Sequence, residues 1–492
     1  MDKGTKKNTA ITKKKKIKIT EPIVKQIGRI ADQLGAELYI VGGYVRDSFL
    51  KRERIDFDFT VVGDSIEFAE SVAKKFKSKA VIYQKFRTAL VPLGEHKIEF
   101  VGTRKEEYKP NSRKPIVTEG TLDDDLRRRD FTINAMAASV NEKSYGSLID
   151  LFNGISDLND KILRTPLDAE ITFSDDPLRM MRAARFASQL GFNIHPDTLK
   201  GISTTAERIK IISQERITDE FMKIISSDNP GTGLKILNDT GILKIIFPEL
   251  HRLNGIEFIK EEDKVYGHKD VFLHSLQVLG NICEVTKNPW LRFAALTHDI
   301  AKSVTKKYIP GTGWTFHGHE ELGARRMTQI FRRMKLPMEH LPYVEKLVRL
   351  HQRPMVLVDD GVTDSAVRRL AFQAGEVLED LFVLCKADIT TKNPLLSAKY
   401  LKNYVQVAKK VLDVQEKDKL REFQSPVRGE EIMVLCKLLP SPAVGFIKSA
   451  IEEAILDGLI PNEYEAAKEY FLNHKDEWLK VAEGSKSSPI KN

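Results

Sequence analysis

The chain has 492 residues, long enough for about three domains and several hydrophobic cores. Its 41% apolar and 30% charged residues are those of an ordinary soluble protein. No run of about 18 apolar residues would span a membrane, and no apolar signal core opens the chain, so a cytoplasmic protein is expected. The formal charge of +9 is concentrated at one end: residues 1–20 hold eight lysines (Lys3, Lys6, Lys7, Lys13 to Lys16, Lys18) against Asp2, which leaves the rest near +2. That end either adds non-specific phosphate contacts or is a disordered solubilising tail. Cys283, Cys385 and Cys436 are far apart, sit in apolar helical patterns and form no CxxC, which reads as buried thiols in a reducing compartment.

In chain order, Glu21 to Leu34 has helical periodicity and leads into an apolar strand, Leu38 to Val41. Gly42-Gly43 then turn into a short helix, Tyr44 to Leu50. A Gly-Gly turn ahead of a helix offers backbone amides and close approach, which suits a phosphate. A second strand, Ile55 to Val62, carries Asp56 and Asp58. Strand side chains alternate faces, so both carboxylates point one way while Phe57 and Phe59 point the other. Two close carboxylates repel unless a cation lies between them, and a divalent metal is the obvious cation. Metal carboxylates beside a phosphate cradle suggest nucleotidyl transfer. The bland alternative is a solvated Asp-Phe-Asp on an edge strand.

The ordered set GGYVRD then DFDF resembles the nucleotidyltransferase superfamily that includes DNA polymerase β. It is most similar to the class II CCA-adding enzymes and bacterial poly(A) polymerases. The resemblance implies Mg²⁺ on Asp56 and Asp58, and a triphosphate held by Gly42, Gly43 and Arg46.

Ser65 to Phe76 reads as a helix. Ala80 to Tyr83, Thr88 to Leu93 and Lys97 to Val101 read as strands that continue the sheet. Glu99, between Ile98 and Phe100, is either a third carboxylate near the metals or a polar strand face. Residues 102–125 are polar, with Pro110, Pro115 and the acidic run Asp123 to Asp125, and a mobile irregular loop is expected. LRRRDFTINAMA follows. Arginines beside a metal site can hold a triphosphate bidentately. RRDFTINA resembles the second signature of the class II family, which implies Arg129 on the triphosphate and Asp130 and Asn134 shaping the pocket. LIDLFNGISDLNDKILR resembles the hinge between head and neck.

In SDDPLRMMRAARFASQLGF, Asp175 or Asp176 can cap a helix, Pro177 suits its first turn and Gly191 its end. Asp176, Arg179, Arg182 and Arg185 are spaced by three and line one side. Alone, such a row is a solvated salt-bridge face. Here it resembles the family's EDxxR signature, with Asp175 where Glu is usual. That implies Asp176 and Arg179 as a template for the incoming base, with Arg182 and Arg185 supporting base and phosphates. Cytosine and adenine each present an amine donor beside a ring-nitrogen acceptor, which a carboxylate and a guanidinium match. Guanine and uracil present the opposite pattern and leave buried groups unpaired. Further helices run through Ser227, Pro230-Gly231 marks a break, and Leu234 to Pro248 continues helical.

A second set of ligand-type residues begins near Asp270: His274, His298-Asp299, His317, His319, His351 and Asp388. A single His on such helices is usually core or surface. An adjacent His-Asp after an apolar helix, with a His one helix earlier and more later, resembles the HD metal-dependent phosphohydrolases. Imidazole and carboxylate ligands suit a transition metal or Mg²⁺. The resemblance implies a divalent metal on His274, His298, Asp299 and Asp388, with His319 and His351 as candidates for a second. A decayed HD fold kept for structure is the alternative. From Asn393 onward the pattern is helical, and VRGEEIMVLCKLLPSPAVGFIKSAIEEAILDGLIPN resembles the region that holds the tRNA body.

The expected fold class is α+β: a polymerase β-like head, a mixed sheet with helices, followed by all-α neck, HD and C-terminal helical regions. The expected divisions are a disordered basic tail 1–20, head 21–160, neck 161–250, HD domain 265–395 and C-terminal tRNA-binding region 396–480. The resemblance implies addition of CCA to tRNA 3′ ends from CTP and ATP, with HD phosphohydrolase activity. The alternatives are a poly(A) polymerase, a CC-only or A-only enzyme, and an HD phosphohydrolase with a non-catalytic nucleotide-binding head.

Overall fold

Alternation of apolar and polar side chains builds a seven-stranded sheet at the start of the chain, covered by amphipathic helices. The computed structural model describes residues 15–53, 57–107, 116–261, 264–357, 363–391, 393–418 and 425–484. Asp56, Pro110 and Pro115 therefore lie outside the described residues. The chain divides into two units, Met1–His251 and Arg252–Asn492.

In the first unit the elements run α1 (Pro22–Leu34), β1 (Glu37–Val41), α2 (Gly43–Leu50), β2 (Phe57–Val62), α3 (Ser65–Lys75), β3 (Val81–Tyr83), β4 (Thr88–Leu93), β5 (His96–Gly102), β6 (Arg104–Glu107), β7 (Ile116–Glu119), α4 (Leu122–Arg127), β8 (Met136–Ser139) and β9 (Leu148–Asp150). The sheet order is β3-β4-β5-β2-β1-β8-β9. β2 and β5 run parallel, and the other neighbours are antiparallel. Phe57, Phe59, Ile98 and Phe100 are buried on one face, in a core with Val24, Ile27, Phe68 and Val72 of α1 and α3. This fixes which face of β2 and β5 carries the carboxylates, because the strand period is two.

Two expectations are corrected here. Residues 15–20 are not a disordered tail: Ile17 N donates to the Gly146 carbonyl at 2.9 Å, Leu148 N donates to that of Lys15, and Ile17 is buried. Apolar Ile17 and Ile19, set between lysines, give this stretch a core-facing side. Nor is 102–125 irregular throughout. β6 and β7 pair as an antiparallel hairpin, and α4 starts at a capping box in which Thr121 and Asp124 satisfy each other's backbone amides.

The neck continues with α5 (Gly154–Asn159), β10 (Ile162–Leu163), α6 (Ala169–Asp175), α7 (Leu178–Leu190), β11 (Asn193–Ile194), α8 (Pro196–Thr205), α9 (Gln214–Ile225), α10 (Pro230–Asp239), α11 (Ile242–Ile246) and α12 (Pro248–His251). It is helical apart from the short parallel pair β10–β11. Pro230 opens α10 at a position where its missing N–H costs nothing. Gly191 ends α7 in the left-handed region at φ +69°.

The second unit holds β12 (Phe258–Glu261), β13 (Lys264–Gly267), α13 (Val271–Cys283), α14 (Pro289–Thr297), α15 (Lys302–Thr305), β14 (Lys307–Ile309), β15 (Gly313–Thr315), α16 (His319–Met334), α17 (Leu341–Leu350), α18 (Arg353–Val356), α19 (Asp364–Ala374), α20 (Leu378–Asp388), α21 (Pro394–Asp418), α22 (Gly429–Cys436), α23 (Pro442–Leu456) and α24 (Tyr464–Gly484). It is a helical body with two small antiparallel hairpins, β12–β13 and β14–β15, which helical periodicity alone did not announce. Its last helices share a separate core of Val427, Ile432, Ile447, Ile451, Ile455, Ala467 and Phe471. Among the described residues no helix is long and apolar enough to cross a membrane.

Two candidate active sites

The first site sits at the ends of β2 and β5. Asp58 and Glu99 are register partners on these parallel strands and are both half-buried. Burial, then the charge of Asp58, raises the Glu99 carboxyl above its usual range, against the pull of Arg104, Arg129 and Arg128. Two carboxylates facing one another in a partly dry position, ringed by arginines, fit a cation between them. Glu99 is thus beside Asp58 on the sheet.

Gly42 stands at φ +67°, ψ −127°, ahead of α2, a conformation L side chains avoid. A Cβ there would lie 3.1 Å from Arg129 Nη1, so the missing side chain lets the guanidinium close over the turn. Gly43 has an ordinary φ, with Arg46 Nη2 3.6 Å from a Cβ. Arg129 comes from just beyond α4 and donates to Asp125 Oδ2 at 3.1 Å, while its buried Nε has no hydrogen-bond partner. Asp125 also takes Arg128 on Oδ1 and the Thr60 hydroxyl on Oδ2. Although burial works against it, these two arginines hold the Asp125 carboxyl below its usual range.

Around α2 and α7 the polar groups form a chain. Arg46 donates to Asp47 through Nε and Nη2 at 2.9 and 2.7 Å, and through Nη1 to Asn134 Oδ1 at 2.9 Å. Asn134 donates to Asp130 Oδ1, and Arg182 donates to Asp130 Oδ2. Burial opposes the charge on Asp130, yet Arg182 and Asn134 bring its pKa down to about 2. Arg185 is held by Glu220 of α9 at 2.7 Å and by Gln189.

Asp176 is the C-cap of α6, and its Oδ1 accepts from the N–H of Leu178, the first residue of α7, at 3.2 Å, while Pro177 holds the N-cap position. Arg179 donates through Nη2 to the Arg128 carbonyl at 2.5 Å and through Nη1 to that of Thr172. Arg179 is therefore tied to the backbone of the arginine segment that follows α4.

The second site is built from helix ends. His298 caps α14, His351 caps α17, His319 opens α16, His274 lies on α13 and Asp388 ends α20. Nδ1 of His298, His319 and His351 lies 2.8, 2.8 and 2.7 Å from the carbonyls of Ala295, Phe316 and Val348. A carbonyl only accepts, so Nδ1 carries the proton in each and Nε2 offers its lone pair. Those Nε2 atoms converge on Asp299, at 3.2 Å from His298, 3.1 Å from His319 and 3.7 Å from His351. His274 Nε2 lies 2.9 Å from Asp388 Oδ1.

His298 Nε2, Asp299 Oδ1 and His351 Nε2 are buried without a hydrogen-bond partner. Two overlapping triads, His274–His298–Asp388 and His298–Asp299–His351, hold their ligand atoms within 4.8 Å of one another. Buried, orphaned lone pairs aimed at one point fit divalent metal binding. Without a cation, burial disfavours a proton on His298, but Asp299 and Asp388 overcome this and lift it to about 10. His319 and His351 share Asp299 with the first set rather than standing apart, and His317 is exposed.

A cavity of about 510 Å³ opens on this site. Its lining includes Lys269, Lys302, Trp314, Phe316 and Thr390. Lys302 Nζ donates to Asp299 Oδ2 at 2.7 Å and Thr390 Oγ1 lies 3.1 Å from His274 Nδ1. The sequence reading missed both. Lys302 was findable, three residues after Asp299 in HDIAK, where a helical turn brings it back onto the carboxylate.

Fold and sites together define a metal-dependent nucleotidyltransferase joined to an HD unit. Three family models match: "Poly A polymerase head domain" over residues 38–164, "Probable RNA and SrmB- binding site of polymerase A" over 191–253 and "HD domain" over 271–391. The chain is 34% identical over 316 residues to the "Multifunctional CCA protein" of Shewanella frigidimarina, 62% of this chain and 71% of that protein. It is 33% identical over 356 residues to the "A-adding tRNA nucleotidyltransferase" of Deinococcus radiodurans, 70% of this chain and 78% of that one. A solved tRNA nucleotidyltransferase, complexed with a primer tRNA and an incoming ATP analog, superposes with a TM-score of 0.55 at 26% identity, covering 78% of this chain and 99% of that one. The chain belongs to the poly(A) polymerase and tRNA nucleotidyltransferase family, and it carries an HD domain.

Proposed function

We propose that this enzyme adds C, C and A in turn to tRNA 3′ ends from CTP and ATP, working in the cytoplasm. In this reading Asp56 and Asp58 bind Mg²⁺, which activates the attacking 3′-hydroxyl and steadies the departing pyrophosphate. Gly42, Gly43, Arg46 and Arg129 receive the triphosphate, and Arg182 and Arg185 support the base and phosphates. Asp176 accepts from the exocyclic amine of cytosine or adenine, and Arg179 donates to the neighbouring ring nitrogen. The observation that carries the reading is the closure of Arg129 over the Gly42 turn, beside Asp58 and Glu99. A backbone cradle, a guanidinium and paired carboxylates meet where a nucleoside triphosphate and its metal would need them.

The HD site is read as a phosphohydrolase. His274, His298, Asp299, Asp388, His319 and His351 hold divalent metal, which supplies an activated water when bound. Lys302 and Lys269 line the cavity where a phosphoester would lie, such as a 2′,3′-cyclic phosphate or a phosphate end on damaged RNA.

Addition of A alone is the second reading, favoured by the likeness to the Deinococcus radiodurans protein. The test is incubation of the purified chain with Mg²⁺, all four NTPs and two sets of tRNA transcripts, one lacking CCA and one ending in CC, followed by sequencing of the 3′ ends. Ends that stop at CCA support the proposal. Extension only of transcripts that already end in CC supports the second reading, and long A tails refute both.

A further inference from the structure

Three guanidiniums surround one phenyl ring. The Cζ atoms of Arg46, Arg182 and Arg185 lie 5.3, 5.3 and 4.2 Å from the centroid of Phe186. Phe186 is on α7, is 5% exposed and meets Phe131 edge-on at 5.8 Å. Each arginine has its own carboxylate: Asp47 for Arg46, Asp130 for Arg182 and Glu220 for Arg185. Three like charges this close repel. Burial and the neighbouring Arg182 push the Arg185 guanidinium toward easier deprotonation, against the pull of Glu220.

A phenyl face attracts a guanidinium through its quadrupole and takes none of its in-plane N–H donors. A ring placed between three arginines therefore holds them together without competing for the N–H donors that Asp47, Asn134, Asp130, Glu220 and Gln189 leave over. A leucine of similar bulk fills the same space without that attraction.

We infer that Phe186 is a positioning residue for nucleotide binding, holding Arg46, Arg182 and Arg185 in one convergent set to receive the triphosphate. This rests on the assignment of those arginines to the triphosphate. The ring acts through the arginines and touches no reacting atom, so its loss shows in affinity for the phosphate chain rather than in the chemical step.

The experiment compares F186L and F186Y with the unaltered full chain. It measures KM and kcat for ATP on a tRNA transcript ending in CC, the inhibition constant of inorganic tripolyphosphate and the melting temperature. Hydrolysis of bis-p-nitrophenyl phosphate at the HD site serves as a control. F186L is expected to raise KM and the tripolyphosphate constant together, by about tenfold, the lower end of what three cation–π contacts supply. Its kcat should stay within about twofold. F186Y keeps the ring and should behave as the unaltered chain. Should F186L not fold, F186M supplies the same loss of ring with a more adaptable side chain. Unchanged constants in the folded ring-less variant overturn the inference. So does equal damage in F186Y, or a fall in kcat with KM and the tripolyphosphate constant unmoved, which marks a packing role. Wild-type KM in both R46A and R182A would instead refute the triphosphate assignment itself.

Discussion

Arg182 reaches back across 52 residues of sequence to Asp130, with Nη2 2.6 Å from Oδ2. The contact joins α7 to the segment that carries Arg129, and its carboxylate is nearly dry. Its strength depends on pH in a definite direction. The Asp130 carboxyl titrates near 2 in the folded chain, below its ordinary 3.8, so its stabilisation is complete above about pH 4 and is lost as pH falls toward 2. At neutral pH that difference is worth about 2 kcal/mol. D130N should therefore lower the unfolding free energy of the head by about that amount at pH 7, and the gap from the unaltered chain should close near pH 2. Denaturant melts at the two pH values check it.

The two glycines ahead of α2 should answer differently to a methyl group. G42A forces a left-handed conformation and sets a Cβ 3.1 Å from Arg129 Nη1. It should cost about 1–3 kcal/mol in backbone strain and raise the KM for ATP and CTP by tenfold or more. G43A, with an ordinary φ and a more distant Arg46, should change KM by about threefold or less. Steady-state kinetics on one tRNA transcript distinguishes them.

At the HD site, D299N removes the charge and replaces with an amide nitrogen one of the two oxygens on which four histidine Nε2 atoms converge. Its metal content by mass spectrometry should fall below half of that of the unaltered chain, at roughly 10–100-fold weaker affinity. Phosphoester hydrolysis should be lost with it. Nucleotide addition should persist, because Asp299 and the head carboxylates belong to different units. Loss of both activities together would contradict this separation.

The proposed template pair, Asp176 and Arg179, gives a selectivity prediction. R179A should lower kcat/KM for CTP and ATP by about 100-fold, since the ring-nitrogen acceptor of each base loses its donor. Discrimination against UTP and GTP should fall by a similar factor. The measurement is single-nucleotide addition with each NTP in turn, and undiminished discrimination would remove Arg179 from the template.

Ile17 tests the correction made to the N-terminal stretch. I17A empties a buried site at the sheet edge and should destabilise the head by about 2 kcal/mol or more. K18A, on an exposed neighbour, should change stability by less than about 0.5 kcal/mol. Thermal melts of both variants decide whether this stretch is part of the fold.

The local sequence determined most of the helices and the central strands of the head. Period-two alternation set Phe57 and Phe59 inward and Asp58 outward, Gly191 ended α7, and the spacing by three ran Arg179, Arg182 and Arg185 along α7, with Asp176 left outside it at the end of α6. These signals are legible because they depend on residues a few positions apart. Tertiary structure alone decided the pairings. Glu99 acquired its meaning from parallel pairing with β2, which sets it beside Asp58. Asp125 looked like one of three acidic residues in a loop, until burial made it the seat of Arg128 and Arg129. Lysine-rich composition hid the alternation that docks Ile17, since a charge count does not record which face a side chain takes. His319 and His351 join His298 on one carboxylate only because three helix ends meet there. Each of these depends on contacts between residues far apart in sequence, and the local pattern carries no record of them.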